Sequence, residues 1–144
     1  IVYRYNLAKQ SSDLCYPIFD QCVAAKYLEK GYFEKNLEKT IELYRHKRNF
    51  MLECLEKYMP ENVKWTKPEG GLFLFVQLPE GYDTTELFKI SIDQNVAFVI
   101  GEAFFCDGSG KNTMRLNFSF MDDANIDEGI KRLATTIRRL FESR

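Results

Sequence analysis

One arginine breaks the pattern of its surroundings in a way that could serve chemistry. In Thr113-Met-Arg-Leu-Asn-Phe-Ser-Phe120, the residues Met114, Leu116, Phe118 and Phe120 alternate with Arg115, Asn117 and Ser119. That two-residue period belongs to a strand with one apolar and one polar face. A guanidinium in mid-strand, backed by an apolar layer and flanked by small polar side chains, can grip a carboxylate through two parallel hydrogen bonds. The spacing fits equally an ordinary solvated arginine on the wet face of a half-buried strand, and taken alone it favours that role.

Other candidates carry less. Gly101, Gly108 and Gly110 flank Phe104 and Phe105, and a Gly-x-Gly pair can cradle phosphate. The segment that follows reads as a strand instead of a helix N-terminus, which argues for a turn-rich connection over a nucleotide loop. Lys9 stands in Ala8-Lys-Gln-Ser11 with no phosphate-binding pattern around it, and reads as a surface lysine ahead of a helix. His46, the single histidine, lies among Arg45, Lys47 and Arg48, a solvated basic stretch and a poor setting for a general base. Cys15, Cys22, Cys54 and Cys106 make no Cys-x-x-Cys pair, so no metal site is expected and each thiol reads as a small buried hydrophobe. The scattered Tyr and Phe residues read mostly as core.

These residues need elements to position them. A helix is expected from about Asp13 to Lys30, with Leu14, Ile18, Cys22 and Ala25 on one face, Pro17 in its first turn and Gly31 as its stop. A longer helix runs from about Phe33 to Tyr58, where Leu37, Ile41, Tyr44, Met51 and Leu55 make the stripe and Pro60 ends it. Then the period shortens. Val63 and Trp65 mark a short strand, and Leu72 to Leu78 a strongly apolar one. Asp83-Thr-Thr-Glu86 resembles a capping box opening a helix to about Gln94. A strand from Val96 to Ile100, a Gly-rich loop from Gly101 to Asn112 and the Arg115 strand follow. A last helix, capped by Asp122 or Asp123, presents Ile126, Ile130, Leu133, Ile137 and Leu140. The order implies an α/β domain in which helices cover a small sheet.

Composition narrows the function classes. The 144 residues carry 20 Lys plus Arg against 21 Asp plus Glu, a net charge of -1. A nucleic-acid partner is therefore not expected, because phosphate neutralisation calls for a basic excess. No apolar run approaches the length a bilayer requires. The opening Ile-Val-Tyr-Arg-Tyr-Asn has no h-region and no cleavage site, so the expectation is a cytoplasmic piece of a longer protein with reduced thiols.

The motifs then assemble in order. Lys9-Gln-Ser-Ser-Asp13 is followed by Arg45-x-x-Arg48-x-x-Met51-x-x-x-Leu55, then Trp65-x-x-Pro68-x-Gly-Gly71-Leu-Phe73 and Leu78-Pro79. Val96-Ala-Phe-Val99, Gly101-x-x-Phe104 and Asn112-x-x-Arg115-Leu-Asn-Phe-Ser119 complete the series. Through nearly its whole length the chain resembles the C-terminal portion of fold-type I pyridoxal-phosphate-dependent aminotransferases. The resemblance is strongest to the branch of 2-aminoadipate and kynurenine aminotransferases and aminotransferase-like regulators. One departure is Ile100, where the family usually has proline before the glycine.

What the resemblance implies is specific. Residues 1–32 would be the tail of the large, cofactor-holding domain, and 33–144 the small C-terminal domain, entered by a long connecting helix. Arg115 matches the arginine that binds the α-carboxylate of amino-acid and 2-oxo-acid substrates. The lysine that holds pyridoxal phosphate, the aspartate facing its ring nitrogen and the phosphate-binding groups would all precede Ile1. Accordingly no catalytic and no cofactor-binding residue is expected within the chain, which alone would be inactive. The full-length protein would be a homodimeric transaminase, or alternatively a transcriptional regulator whose effector domain kept the fold.

Overall fold

The computed structural model describes residues 1–13 and 17–143. Two compact units are distinguished, Ile1–Ile41 and Glu42–Arg144.

In the first unit, helix α1 covers Val2–Ser12 and α2 covers Ile18–Glu29, and α3 begins at Tyr32. Neither α1 nor α2 buries a residue. The single helix expected from Asp13 is thus corrected. Pro17, at φ -55 and ψ 119, is the N-cap of α2 and lies outside the helix. Asp13 ends α1 in extended backbone. Of the expected apolar face, Leu14 lies outside the described residues, as does Cys15, while Ile18, Cys22 and Ala25 are exposed. Lys9 sits in the last turn of α1, not ahead of a helix. The stop after α2 is as expected: Gly31 takes φ 65, the left-handed conformation that ends helices and that glycine adopts without a Cβ clash.

The second unit holds a buried core. Helix α3 extends from Tyr32 to Tyr58, so most of it belongs here, and only its later turns bury their stripe. Met51, Cys54 and Leu55 are buried, whereas Leu37 and Ile41 are exposed. Among the described residues four strands follow: β1 Lys64–Trp65, β2 Phe73–Gln77, β3 Val99–Ile100 and β4 Thr113–Asn117. They form one antiparallel sheet in the order β1-β2-β4-β3. Helix α4, Thr84–Asp93, and helix α5, Asp123–Glu142, join the end of α3 over one face.

Local chemistry sets these boundaries. The Asp83 carboxylate accepts from the Thr85 N–H at 2.7 Å, and the Asp122 carboxylate from the Asn125 N–H at 2.9 Å. Each satisfies a donor that the first helical turn would otherwise leave unpaired. The five expected apolar residues of α5 are all at most 5% exposed, each contributing roughly 1.5–3 kcal/mol by leaving water. Strand β3 is shorter than expected, because Asn95 takes φ 58 and the Val96 N–H turns back to the Ser91 carbonyl at 2.9 Å. Strand β4 is shorter too. The Asn117 Oδ1 accepts from the Ser119 N–H at 2.6 Å and its hydroxyl at 2.7 Å, a local turn that competes with the ladder. Ser119 and Phe120 therefore lie beyond the strand, and Phe120 is 84% exposed.

Gly101 starts a 3-10 turn, Gly101–Phe104, directly after β3. A Cβ there would stand 1.9 Å from the Thr113 hydroxyl oxygen and 2.5 Å from its carbonyl oxygen, so only glycine lets this turn lie against β4. Gly129, in mid-α5, has nothing within 4 Å of a built Cβ. Gly101→Ala should lower unfolding free energy by about 3 kcal/mol through overpacking. Gly129→Ala should raise it by about 0.5–1 kcal/mol through reduced chain entropy. Urea midpoints of the three proteins check both signs.

Candidate functional site

Strand alternation sends Met114 and Leu116 into the core and Arg115 to the opposite face of the sheet. Register decides its neighbours there: Phe75 on β2 and Val99 on β3 are its direct cross-strand partners. The guanidinium carbon lies 4.0 Å from the centroid of Phe73 and 4.6 Å from that of Phe104. Phe75 meets Phe104 edge-on at 5.5 Å. The arginine thus lies against two aromatic rings, a cation–π arrangement that restrains the guanidinium.

The hydrogen bonding of that fork is incomplete. Arg115 Nε is buried and has no partner, and no carboxylate among the described residues pairs with the guanidinium. An enclosed, unpaired N–H costs free energy. Arg115 as a whole is half-buried, and no carboxylate among the described residues neutralises it. Asn117 shares its strand, but Ser119 does not stand beside it as the sequence spacing implied. The expectation that the Tyr and Phe residues are mostly core is also corrected: among those described, only Phe98 and Phe118 are buried. Phe73, Phe75 and Phe104 gather on this face although 29 positions separate the last two, because strand pairing and the Gly101 turn bring them together. The only sequence signal was Phe73 and Phe104 falling inside quoted motifs. Ile100 takes φ -60 and ψ 129, a φ that proline would itself impose, so replacing proline leaves this backbone direction unchanged.

The remaining candidates sit elsewhere. His46 Nε2 and Asp123 Oδ2 are 2.8 Å apart on the exposed surface, and the ring stacks on Phe50. The Gly108–Gly110 segment is a turn in which Asp107 accepts from the Ser109 hydroxyl and N–H, hydrogen bonds that hold its pKa below the usual value. Cys54 is buried as expected, whereas Cys22 and Cys106 are exposed. Burial, then the charge of Asp127 beside it, pushes the Cys54 pKa to about 11, which keeps the thiol protonated and unreactive. Among the described residues no cluster of His, Cys, Asp and Glu could hold a metal ion.

A pyridoxal group needs an enclosed lysine and a phosphate cradle. Every described lysine is exposed or half-buried, and the best-enclosed of them on α3, Lys47, already donates to backbone carbonyls. These residues do not fit the group.

The comparisons with known proteins bear on the whole chain. The profile for aminotransferase class I and II matches residues 3–133. The chain belongs to the class I and II aminotransferase family. It is 50% identical over 137 residues to aromatic-amino-acid aminotransferase 1 of Thermococcus litoralis, covering 95% of this chain and 33% of that protein. Among solved structures it matches LysN, an alpha-aminoadipate aminotransferase of Thermus thermophilus complexed with N-(5'-phosphopyridoxyl)-L-leucine. There the TM-score is 0.88 at 37% identity, covering 96% of this chain and 35% of that one. An uncharacterised HTH-type transcriptional regulator of Bacillus subtilis, YisV, aligns at 26% identity over 99% of this chain and 29% of its own length. The chain thus spans about a third of the length of these aminotransferase relatives. The small helix-covered sheet is an aminotransferase fold, as the motifs implied, and pyridoxal phosphate is the cofactor implied by the family.

Cys54 gives this domain a pH dependence of known sign. The unfolded thiol ionises near 9 and the folded one near 11, so its contribution to stability is complete below pH 9. It should disappear between pH 9 and 11. Urea midpoints across that window should fall more steeply for the parent protein than for Cys54→Ala. At pH 8.5, iodoacetamide should alkylate Cys22 and Cys106 well before Cys54, as read by peptide mass mapping.

Proposed function

We propose that this chain is the C-terminal part of a pyridoxal-phosphate-dependent transaminase and that Arg115 binds the α-carboxylate shared by its amino-acid and 2-oxo-acid substrates. Residues 33–144 would be the small domain and 1–32 the tail of the large one. The observation that carries the carboxylate role is a half-buried guanidinium 4.0 and 4.6 Å from the Phe73 and Phe104 ring centroids, whose Nε has no partner and which no carboxylate among the described residues neutralises. The family supplies the reaction class.

In this reading the cofactor, held outside the chain, provides the electron sink for the α-carbon. The chain's own contribution is positioning. Two parallel N–H donors fix both oxygens of a carboxylate and so fix the rotation of the bond to the α-carbon. No general acid or base is assigned to this chain, and the chain alone is expected to be inactive.

The parent protein is proposed to be a cytoplasmic homodimer; among the described residues no helix is long and apolar enough to cross a membrane. A second reading, the effector domain of a transcriptional regulator, has the match to YisV behind it. The two separate on a donor screen of the full-length protein. Turnover with any amino acid and 2-oxo acid supports the enzyme, whereas sequence-specific DNA binding without turnover supports the regulator.

The carboxylate role has its own test in steady-state kinetics of full-length Arg115→Ala and Arg115→Lys. Charge-assisted hydrogen bonds contribute roughly 1.5–3 kcal/mol each. Losing a bidentate pair should lower kcat/KM by roughly a hundredfold to several thousandfold. Arg115→Lys keeps the charge but not the planar fork and should also fall well below the parent. The loss should be equal for donor and acceptor, with cofactor absorbance unchanged. Equal kcat/KM in all three proteins would leave Arg115 without a carboxylate to bind.

A further inference from the structure

Two adjacent cations on α3 are committed to backbone carbonyls of other segments. Lys47 Nζ lies 2.6 Å from the Met121 carbonyl oxygen, 3.0 Å from that of Ser119 and 3.4 Å from that of Phe120. Three donors meet three acceptors, with no carboxylate at the ammonium among the described residues. Beside it, Arg48 donates from Nη1 to the Pro68 carbonyl at 3.2 Å, while its Nε and Nη2 hold the Asn49 Oδ1 at 3.0 and 2.8 Å. Lys47 and Arg48 are both half-buried, and the bonds from Lys47 to Ser119 and from Arg48 to Pro68 are partly shielded from water, where charged donors to carbonyls are strongest.

The gripped segments flank one end of the Arg115 sheet. Pro68 precedes β2, whose first residue is Phe73, and Ser119–Met121 follows β4, whose last residue is Asn117. Phe73 and Asn117 are cross-strand partners, and the Phe118 N–H donates to the Leu72 carbonyl at 3.2 Å. The end of the pair that carries the Phe73 ring over the guanidinium is thus held from both sides by neighbouring residues of one helix.

We infer that Lys47 and Arg48 are positioning residues for substrate binding, fixing the Phe73–Asn117 end of the sheet so that the Arg115 fork keeps its plane. The inference rests on the carboxylate role of Arg115. The coupling runs through backbone: without Lys47, the Ser119–Met121 carbonyls lose their common anchor and the Asn117 turn is free to shift. Phe73 moves with its partner strand, and the guanidinium loses the ring that orients it. A fork displaced in this way still carries its charge but meets the carboxylate at a poor angle, so ground-state binding suffers first.

The experiment uses the full-length protein with Lys47→Met, which keeps the aliphatic stem, Lys47→Arg, Arg48→Met and Arg115→Ala. Arg138→Met serves as a comparison, since Arg138 makes the same kind of tie, Nη2 to the Tyr58 carbonyl, between helices away from Arg115. Lys47→Met and Arg48→Met should each raise KM for both donor and acceptor about tenfold, with kcat within about twofold. Lys47→Arg should restore most of the loss, and cofactor absorbance should match the parent. Arg138→Met should lower Tm without moving either KM. If Lys47→Met and Arg48→Met behave like Arg138→Met while Arg115→Ala loses kcat/KM, the inference is overturned and the carboxylate role stands. If Arg115→Ala is itself unimpaired, the carboxylate role fails and takes the inference with it. Should Lys47→Met not accumulate as folded protein, Arg48→Met decides between the same outcomes.

Discussion

The register between β2 and β4 is the constraint on which the other features of the second unit depend. Leu74 faces Leu116 and Val76 faces Met114, all four buried, while Phe75 faces Arg115 on the other side. A slip of β4 by one residue would exchange its faces, driving the Arg115 guanidinium into the core and Met114 and Leu116 out of it. Burying an unpaired cation costs far more than any single packing contact contributes. The same pairing that builds the core therefore aims the arginine, and no separate device is needed to choose its direction. Thr84 reinforces the far end of this pair: its buried hydroxyl lies 2.8 Å from the Thr113 carbonyl oxygen and 3.0 Å from that of Lys111, and can donate to one at a time.

Helices α4 and α5 were legible because their signals are local and redundant. An aspartate cap, a three- and four-residue apolar spacing and a following core strand all agree over α5, and burial follows at Ile126, Ile130, Leu133, Ile137 and Leu140. Helix α1 was not legible. Val2–Ser12 has no apolar stripe, no side-chain cap at Ile1 and no buried residue, so none of the usual marks of a helix were there to read. The overlong reading of β4 has a definite cause as well. Phe118 continues the alternation and is buried, but an asparagine side chain that bonds two residues ahead ends a strand without disturbing hydrophobic pattern.

The site was half legible. Arg115 stood out because a charge in an apolar strand is a local anomaly. Its aromatic cover did not, since Phe73 and Phe104 become neighbours only through strand order β2-β4-β3 and the close approach of Gly101 to Thr113. Lys47 and Arg48 were invisible for a different reason. Their acceptors are backbone carbonyls, which every residue possesses, so a basic helix face that grips main chain has the same sequence signature as one that faces water.

The two-residue lengths of β1 and β3 bear on how this sheet behaves in a crowded solution. Both are edge strands, and each exposes too short a row of unpaired amide and carbonyl groups to template another chain. The sheet's longest strands, β2 and β4, lie in the interior of the order with both edges occupied. An outer face bearing phenylalanines would be a hazard on a long open edge, because a sticky surface and a free ladder together nucleate cross-β growth. Here the aromatic face is kept apart from any extended ladder. The domain carries Phe73, Phe75 and Phe104 on one face of the sheet while offering little purchase to another strand.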